Sequence, residues 1–217
     1  MELQNINKLK PKKFLSIGHH DLPYVGDLSK PYFITVGCSL TAGNFLDYKD
    51  TWSSTLSKKL NMEHINLAME GSSLDYQYGT LIKAEKILKD ARFVVWMHTY
   101  TNRYHLMRFR HIIGDMLARR GQAKVLEYNE KCFKKIEKFV ELTRDKKILH
   151  TNTWGYDVKT KLALEKVVCW KNKKYMLNNN GWQDYASDGI HAGPISHSHL
   201  ANDIHDHMTR YFMDWYQ

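Results

Sequence analysis

Four short stretches of the chain carry groups that together are able to do chemistry. Ser39 follows an apolar run and a glycine, and Gly71 stands in a second turn. Asn102 offers an amide donor, and Asp188 and His191 lie three residues apart near the end of the chain. A hydroxyl, an imidazole and a carboxylate are the groups of nucleophilic catalysis, and backbone N–H groups and amides stabilise an oxyanion. Each stretch alone is common, so their order and the elements that position them matter more.

These stretches follow segments that the sequence predicts as strands. Short apolar runs predict strands at 32–36, 65–68, 93–97 and 147–150, with a fifth at 167–170 or 174–177. Helical spacing predicts helices at 51–60, 73–88, about 103–119, 125–143 and 195–215, the second of them capped by Ser73. Strands that alternate with helices indicate a mostly parallel sheet, which binds ligands at the carboxyl ends of its strands. Ser39, Gly71 and Asn102 all fall there.

Length and composition indicate one globular domain. The chain has 217 residues, of which 43% are hydrophobic and 25% charged, which excludes a disordered or collagen-like chain. We predict an N-terminal arm or surface wrap over 1–30 and a single domain over 31–217. No apolar run approaches the roughly 20 residues that a transmembrane helix requires. The polar first residues argue against a signal peptide.

Charge and cysteine content narrow the partners and the compartment. The net charge of +9 favours an anionic partner, but the basic residues are dispersed and accompany no zinc-finger, RRM or KH pattern, so we do not expect nucleic-acid binding. Cys38, Cys132 and Cys169 are odd in number, widely spaced and form no CxxC pair. This pattern argues against a disulfide framework and favours a reducing compartment such as the cytoplasm.

Taken in order, the four stretches resemble the sequence blocks of the SGNH, or GDSL, hydrolase family. Residues 37–41 (Gly-Cys-Ser-Leu-Thr) are similar to the G-D-S-L block, and residues 66–71 to the second block. Residues 99–102 are similar to G-x-N-D, and residues 188–191 match D-x-x-H. The resemblance spans about residues 32 to 210. It implies an α/β fold: a three-layer α/β/α sandwich, flavodoxin-like, with a mostly parallel five-stranded sheet.

The resemblance also implies a role for each site residue. Ser39 would be the nucleophile of an ester hydrolase, His191 its general base and acid, and Asp188 the group that orients the imidazole. The N–H groups of Ser39 and Gly71 and the amide of Asn102 would form the oxyanion hole. An acyl-enzyme of this kind needs no metal or organic cofactor. The substrate stays open among small-molecule and carbohydrate esters: an acetylated sugar, a short acyl ester, a thioester or a lysophospholipid. A small acyl group such as O-acetyl on carbohydrate is favoured, because aromatic residues crowd the loops and no long apolar lid is present.

Three positions depart from the family pattern. Cys38 stands where the family usually has aspartate, Tyr100 replaces the glycine of the third block, and Arg103 replaces the aspartate after its asparagine. None of them would carry the nucleophile, the base or a principal oxyanion donor. They bear on the substrate and on the shape of the oxyanion hole.

Other interpretations stay open at this point. Asp184 rivals Asp188 as the partner of the histidine, Asn102 is also a suitable helix N-cap, and Cys38 offers a thiol nucleophile. His98 and His105 are candidates for lining the pocket. A metal-dependent hydrolase would draw on a histidine-rich tail made of His197, His199, Asp203, His205 and His207. The alternative of another class is a binding or structural module on the same fold, without turnover.

Overall fold

A computed structural model describes most of the chain. It covers residues 13–17, 20–24, 27–99, 104–106, 109–112, 147–152, 176–177 and 182–216, and helical positions 127, 130, 131, 134, 135, 137, 138 and 141. The strands are β1 (Lys13–Ile17), β2 (His20–Tyr24), β3 (Tyr32–Val36), β4 (Glu63–Asn66), β5 (Val94–His98), β6 (Tyr104–Leu106), β7 (Phe109–Ile112), β8 (Ile148–Asn152) and β9 (Met176–Leu177). The helices are α1 (Ser39–Ala42), α2 (Trp52–Leu60), α3 (Leu74–Lys83), α4 (Glu85–Asp90) and α5 (Pro194–Tyr211), with 3₁₀ turns at Tyr48–Asp50 and Met213–Trp215.

The central sheet is parallel and has five strands in the order β4-β3-β5-β8-β9. Numbered along the chain, these strands run 2-1-3-4-5, which is the flavodoxin-like order. The expected α/β sandwich and its five-stranded parallel sheet are therefore confirmed. In this topology the connections leave the first strand in opposite directions, which opens a crevice between β3 and β5 at their carboxyl ends.

Both faces of the sheet are covered by helices. Ile34, Val36 and Trp96 point to one face, where they pack with apolar residues of α3 and α4. Phe33 and Met97 point to the other face, where α2 and α5 supply the apolar partners. Because each central strand is buried on both sides, its sequence is a continuous apolar run rather than an alternating one.

Two of the described helices, α2 and α3, begin at a residue whose side chain caps them. The hydroxyl of Thr51 accepts a hydrogen bond from the Ser54 N–H at 3.2 Å, and α2 begins at the next residue. Ser73 accepts one from the Tyr76 N–H at 3.2 Å at the start of α3, as the sequence predicted. None of the described helices has the length and apolar content needed to cross a bilayer.

Two regions differ from or extend the sequence prediction. The helix predicted over 103–119 is wrong in its described part, where β6 and β7 form an antiparallel hairpin that pairs Tyr104 with Ile112. Aromatic and β-branched residues favour this extended pairing over a helix.

Residues 1–30, predicted as an arm, contain the antiparallel hairpin of β1 and β2. The fifth strand falls at the second of the two predicted places, and the described positions between 127 and 141 are helical as expected.

Candidate active site

The turn that carries Ser39 is built tightly at the end of β3. A Cβ atom at Gly37 would lie 2.1 Å from Thr41 Oγ1, so only glycine fits beneath α1. Ser39 is the first residue of α1 and is 5% exposed. The hydroxyl therefore lies at the carboxyl edge of the sheet, beside the crevice. Cys38 next to it packs in the buried apolar cluster on the α2 and α5 side of the sheet, which argues against the alternative of a thiol nucleophile.

The loop after β4 is hydrogen-bonded to the same turn. The Asn66 amide donates to the Thr41 carbonyl at 2.9 Å, and its oxygen accepts the Ala68 N–H at 2.9 Å. The Ser72 hydroxyl donates to the Gly37 carbonyl at 2.9 Å. Between them, Gly71 has a φ of 64°, a left-handed conformation that glycine adopts without strain. The bonds of Asn66 and Ser72 thus hold the loop of Gly71 against the Ser39 turn.

Ser72 belongs to a buried polar chain that the sequence analysis did not single out. Its hydroxyl also accepts a hydrogen bond from Gln77 Nε2 at 3.2 Å, and Gln77 Oε1 accepts the Trp96 indole N–H at 3.0 Å. The chain joins the Ser39 turn, α3 and β5. The sequence indicates this polar chain only through Gln77, a polar residue on the buried face of α3.

Asp188 and His191 form a close pair in a tight turn. Asp188 Oδ2 lies 2.5 Å from His191 Nδ1, while Oδ1 accepts the N–H groups of Ile190 at 3.1 Å and His191 at 3.0 Å. Gly189 permits this turn, with a φ of 67°. Burial raises the pKa of Asp188, but the hydrogen bonds from His191 and Ile190 outweigh it and leave the pKa below its ordinary value. An ionised Asp188 accepts Nδ1–H, which leaves Nε2 as a proton acceptor.

Asp184, the other candidate partner of His191, forms hydrogen bonds at the start of a helix instead. Asp184 Oδ2 accepts the Ile195 N–H at 3.0 Å, and Oδ1 accepts the Ser196 N–H at 2.7 Å and its hydroxyl at 2.6 Å. These groups begin α5, so Asp184 serves as the cap of that helix. A Cβ atom at Gly193 would lie 2.4 Å from Asp184 Oδ2, which keeps this position small. Of the two candidates, Asp188 is therefore the one that bonds the imidazole of His191.

Apolar contacts bring the segment of His191 against the segment of Ser39. The ring of Phe45, which follows α1, lies 5.2 Å from the His191 ring between centroids and is tilted by 31°. Ala192 packs in the same buried cluster as Cys38 and Leu40. Residues far apart in the chain thus meet at one edge of the sheet. Asn102, one of the predicted oxyanion donors, lies outside the described residues. Tyr100 and Arg103, two of the departures from the family pattern, also lie outside them.

A pair of histidines is buried on two neighbouring strands, with His98 at the end of β5 and His150 in the middle of β8. His98 Nε2 lies 2.9 Å from His150 Nδ1, and the Trp96 ring stacks on His98 with centroids 4.4 Å apart. Burial, with a smaller contribution from His150, lowers the pKa of His98 well below its ordinary value, and burial lowers that of His150 to about 3. Both side chains are buried, with His98 0% and His150 3% exposed. The side chain of His105 lies outside the described residues.

The histidines of the tail lie in separate environments on α5. His197 Nδ1 accepts the Trp52 N–H at 2.9 Å, and burial lowers its pKa to about 4. His205 lies 3.3 Å from Asp206, and His207 packs against Tyr211. Within the part of the chain that the structure describes, no three His, Cys, Asp or Glu side chains group as metal ligands would. The alternative of a metal site in the histidine-rich tail therefore has no such group among the described residues.

Comparison with known proteins identifies relatives of this fold. No family model and no curated protein sequence matches the chain. Among solved structures, TesA superposes with a TM-score of 0.55 at 16% identity, over 82% of this chain and 98% of its own. An acetyl xylan esterase from Butyrivibrio proteoclasticus gives a TM-score of 0.56 at 13% identity, over 86% of this chain and 65% of its own.

A third solved structure names the family directly. It is a lipolytic protein assigned to the G-D-S-L family, from Desulfitobacterium hafniense, with a TM-score of 0.50 at 12% identity, over 81% of this chain and 98% of its own. These likenesses agree with the parallel α/β architecture of the described residues. The expected resemblance is confirmed at the level of structure: this chain has the fold of the SGNH/GDSL hydrolases.

Proposed function

We propose that the chain is a serine ester hydrolase that works through an acyl-enzyme, with Ser39 as nucleophile, His191 as general base and acid, and Asp188 as the orienting carboxylate. The observation that carries this proposal is the 2.5 Å contact between Asp188 Oδ2 and His191 Nδ1. The two backbone N–H groups on Asp188 Oδ1 hold the carboxylate in place for that contact. A histidine with its Nδ1 fixed in this way is prepared to accept a proton at Nε2.

The chemistry then follows in two stages. The Ser39 oxygen attacks the ester carbonyl carbon while His191 Nε2 takes the hydroxyl proton. Charge that develops on the carbonyl oxygen is stabilised by the N–H groups of Ser39 and Gly71 and the amide of Asn102. The alcohol leaves with the proton from Nε2, and an acyl group remains on Ser39. Water, deprotonated by His191, attacks the acyl carbon, the acid is released and the Ser39 hydroxyl is restored.

For the substrate we favour a small acyl group, such as acetyl, on a carbohydrate. Ser39 is only 5% exposed, and a nucleophile so deeply set suits a short acyl chain better than a bulky one. One structural neighbour is named an acetyl xylan esterase, which agrees with this choice. No metal or organic cofactor enters the chemistry of these residues.

Serine-dependent turnover tests the proposal. The wild-type chain should hydrolyse a short-chain chromogenic acetyl ester and be labelled by a fluorophosphonate, and Ser39→Ala should abolish both. Ser29, whose hydroxyl is exposed and bonded to Asp27, provides the control: Ser29→Ala should leave labelling and turnover unchanged. Labelling that persists in Ser39→Ala would mean that another residue is the nucleophile, which would overturn the role of Ser39. A wild-type chain that shows neither labelling nor turnover would support the alternative of a non-catalytic module on this fold.

A further inference from the structure

The chain takes an unusual path where it leaves α1. Gly43 ends the helix with a φ of 75°, and the Asn44 N–H donates to the Ser39 carbonyl at 3.1 Å. Phe45 follows with a φ of 64°. In the described part of the chain, the other residue besides glycine with a positive φ is Asn61, at 49°. Two left-handed residues, 43 and 45, thus follow the nucleophile's helix within one short turn.

The two positive φ values have different explanations. Asn61 is the C-cap of α2, and its N–H donates to the Lys58 carbonyl oxygen at 3.3 Å. Asparagine tolerates the left-handed region well. Phenylalanine has no such tolerance, because its Cβ approaches the following carbonyl and its side chain offers no hydrogen bond. Strain of this kind persists only where the surrounding structure fixes it, and it concentrates at functional sites. The explanation at Phe45 must therefore lie in what its ring contacts.

That ring lies against His191. Its centroid is 5.2 Å from the imidazole centroid, with the planes 31° apart, so the phenyl ring packs against the imidazole in a tilted arrangement. The Nδ1 edge of the imidazole is occupied by Asp188. A single hydrogen bond at Nδ1 leaves the imidazole free to tilt about that bond. A ring packed against the imidazole restricts this tilt and so helps to set the direction of Nε2.

We propose that Phe45 is a positioning residue for the base: its left-handed backbone presses the phenyl ring onto His191 and keeps Nε2 directed at the Ser39 hydroxyl. The proposal rests on the proposed function of Ser39 and His191 and adds to it a physical link between them. Ser39 begins α1 and Phe45 follows its end, so one short segment presents the nucleophile and aligns the base. No separate element is needed to keep the two in register.

Kinetics of three substitutions test this role. Phe45→Ala should lower kcat about 3- to 10-fold, the effect of losing one aromatic contact on the base, while KM changes less than about twofold. Phe45→Tyr keeps the ring and should restore kcat. Phe45→Asn removes the ring but suits the left-handed backbone, so its thermal midpoint should equal or exceed that of the wild type while kcat falls as in the alanine variant.

One control variant and two possible results decide whether Phe45 positions the base. Asn61→Gly changes the other left-handed residue, outside the site, and should leave kcat unchanged. Equal kcat in Phe45→Ala and Asn61→Gly would overturn the positioning role. A rise in KM without a fall in kcat would also overturn it, because that result would make Phe45 a wall of the substrate site.

A measurement on the free protein separates this proposal from the proposed function. The ring current of Phe45 should shift the His191 imidazole C–H proton resonances upfield, with assignment by loss of the signals in His191→Gln. The shift should disappear in Phe45→Ala and persist in Phe45→Tyr. A wild-type chain with the shift but no turnover would overturn the proposed function and the catalytic meaning of Phe45. Turnover without the shift would overturn the positioning role alone.

Discussion

Asp184 and Asp188 stand four residues apart and are built almost alike. Each carboxylate accepts two consecutive backbone N–H groups and one side-chain donor. In both, hydrogen bonds outweigh burial and lower the pKa. They differ in the side-chain donor: for Asp184 it is the hydroxyl of Ser196 at the start of α5, and for Asp188 it is the imidazole of His191. The comparison shows that the same hydrogen-bonding arrangement of a carboxylate can serve two purposes. With a serine hydroxyl as the side-chain donor it caps a helix, and with a histidine as the donor it orients an imidazole.

The largest effect that separates the two carboxylates should be on turnover. Asp188→Asn keeps the shape but presents an amide N–H to Nδ1, which favours the wrong tautomer of His191. We expect kcat to fall about 10³- to 10⁴-fold while the fold is retained. Steady-state rates on a short acetyl ester and a circular dichroism spectrum measure both. A loss smaller than tenfold would mean that Asp188 does not orient the base.

The converse substitution should act on stability. Asp184→Asn weakens the bonds to Ile195 and Ser196 at the start of α5, and we expect about 2 kcal/mol less free energy of unfolding. The kcat of the folded protein should change less than about threefold, since His191 keeps its own carboxylate. Denaturant unfolding and active-site titration separate these quantities. An Asp184→Asn variant of full stability and low kcat would reverse the roles assigned to the two aspartates.

The smallest expected difference concerns pH. A carboxylate whose folded pKa is lowered contributes stability above its unfolded pKa, near 4, and loses it only as the pH falls through the folded pKa. Both aspartates are therefore ionised throughout pH 7 to 5. The buried His98, His150 and His197 have lowered pKa values, so they favour unfolding progressively below about pH 6.5, by up to about 1.4 kcal/mol each per pH unit.

Unfolding curves at several pH values check this assignment. Between pH 7 and 5 the free energy of unfolding should fall with the same slope in the wild type and in Asp184→Asn. His150→Gln should reduce the slope, because one buried imidazole no longer takes up a proton on unfolding. A slope that flattens in Asp184→Asn would show that this carboxylate titrates in this range.

The sequence predicts much of the sheet and helix framework because burial on both faces leaves continuous apolar runs. The run at 32–36 is the observed β3, and the spacing of Trp52, Leu56 and Leu60 marks α2. The hairpin of β6 and β7 could not be predicted in this way, since its strands are stabilised by pairing with each other rather than by a periodic pattern.

The site was predictable in part, for physical reasons that differ between residues. The spacing of Asp188 and His191 suggested a pair, but the choice against Asp184 depends on the turn at Gly189 and on the start of α5. The sequence did not indicate a role for Phe45, because its neighbouring residues form no pattern that predicts a left-handed backbone at this position. The roles of Ser39, Gly71 and Asn102 stay predictions that the proposed experiments test.

The buried chain from Ser72 through Gln77 to Trp96 has a practical consequence. It connects the Gly37 carbonyl, at the turn that presents Ser39, to an indole N–H inside the sheet. The resonance of that indole N–H, or the fluorescence of its ring, is therefore a built-in reporter of the turn. Distortions of the turn become visible spectroscopically in the resting protein, before any ester is added.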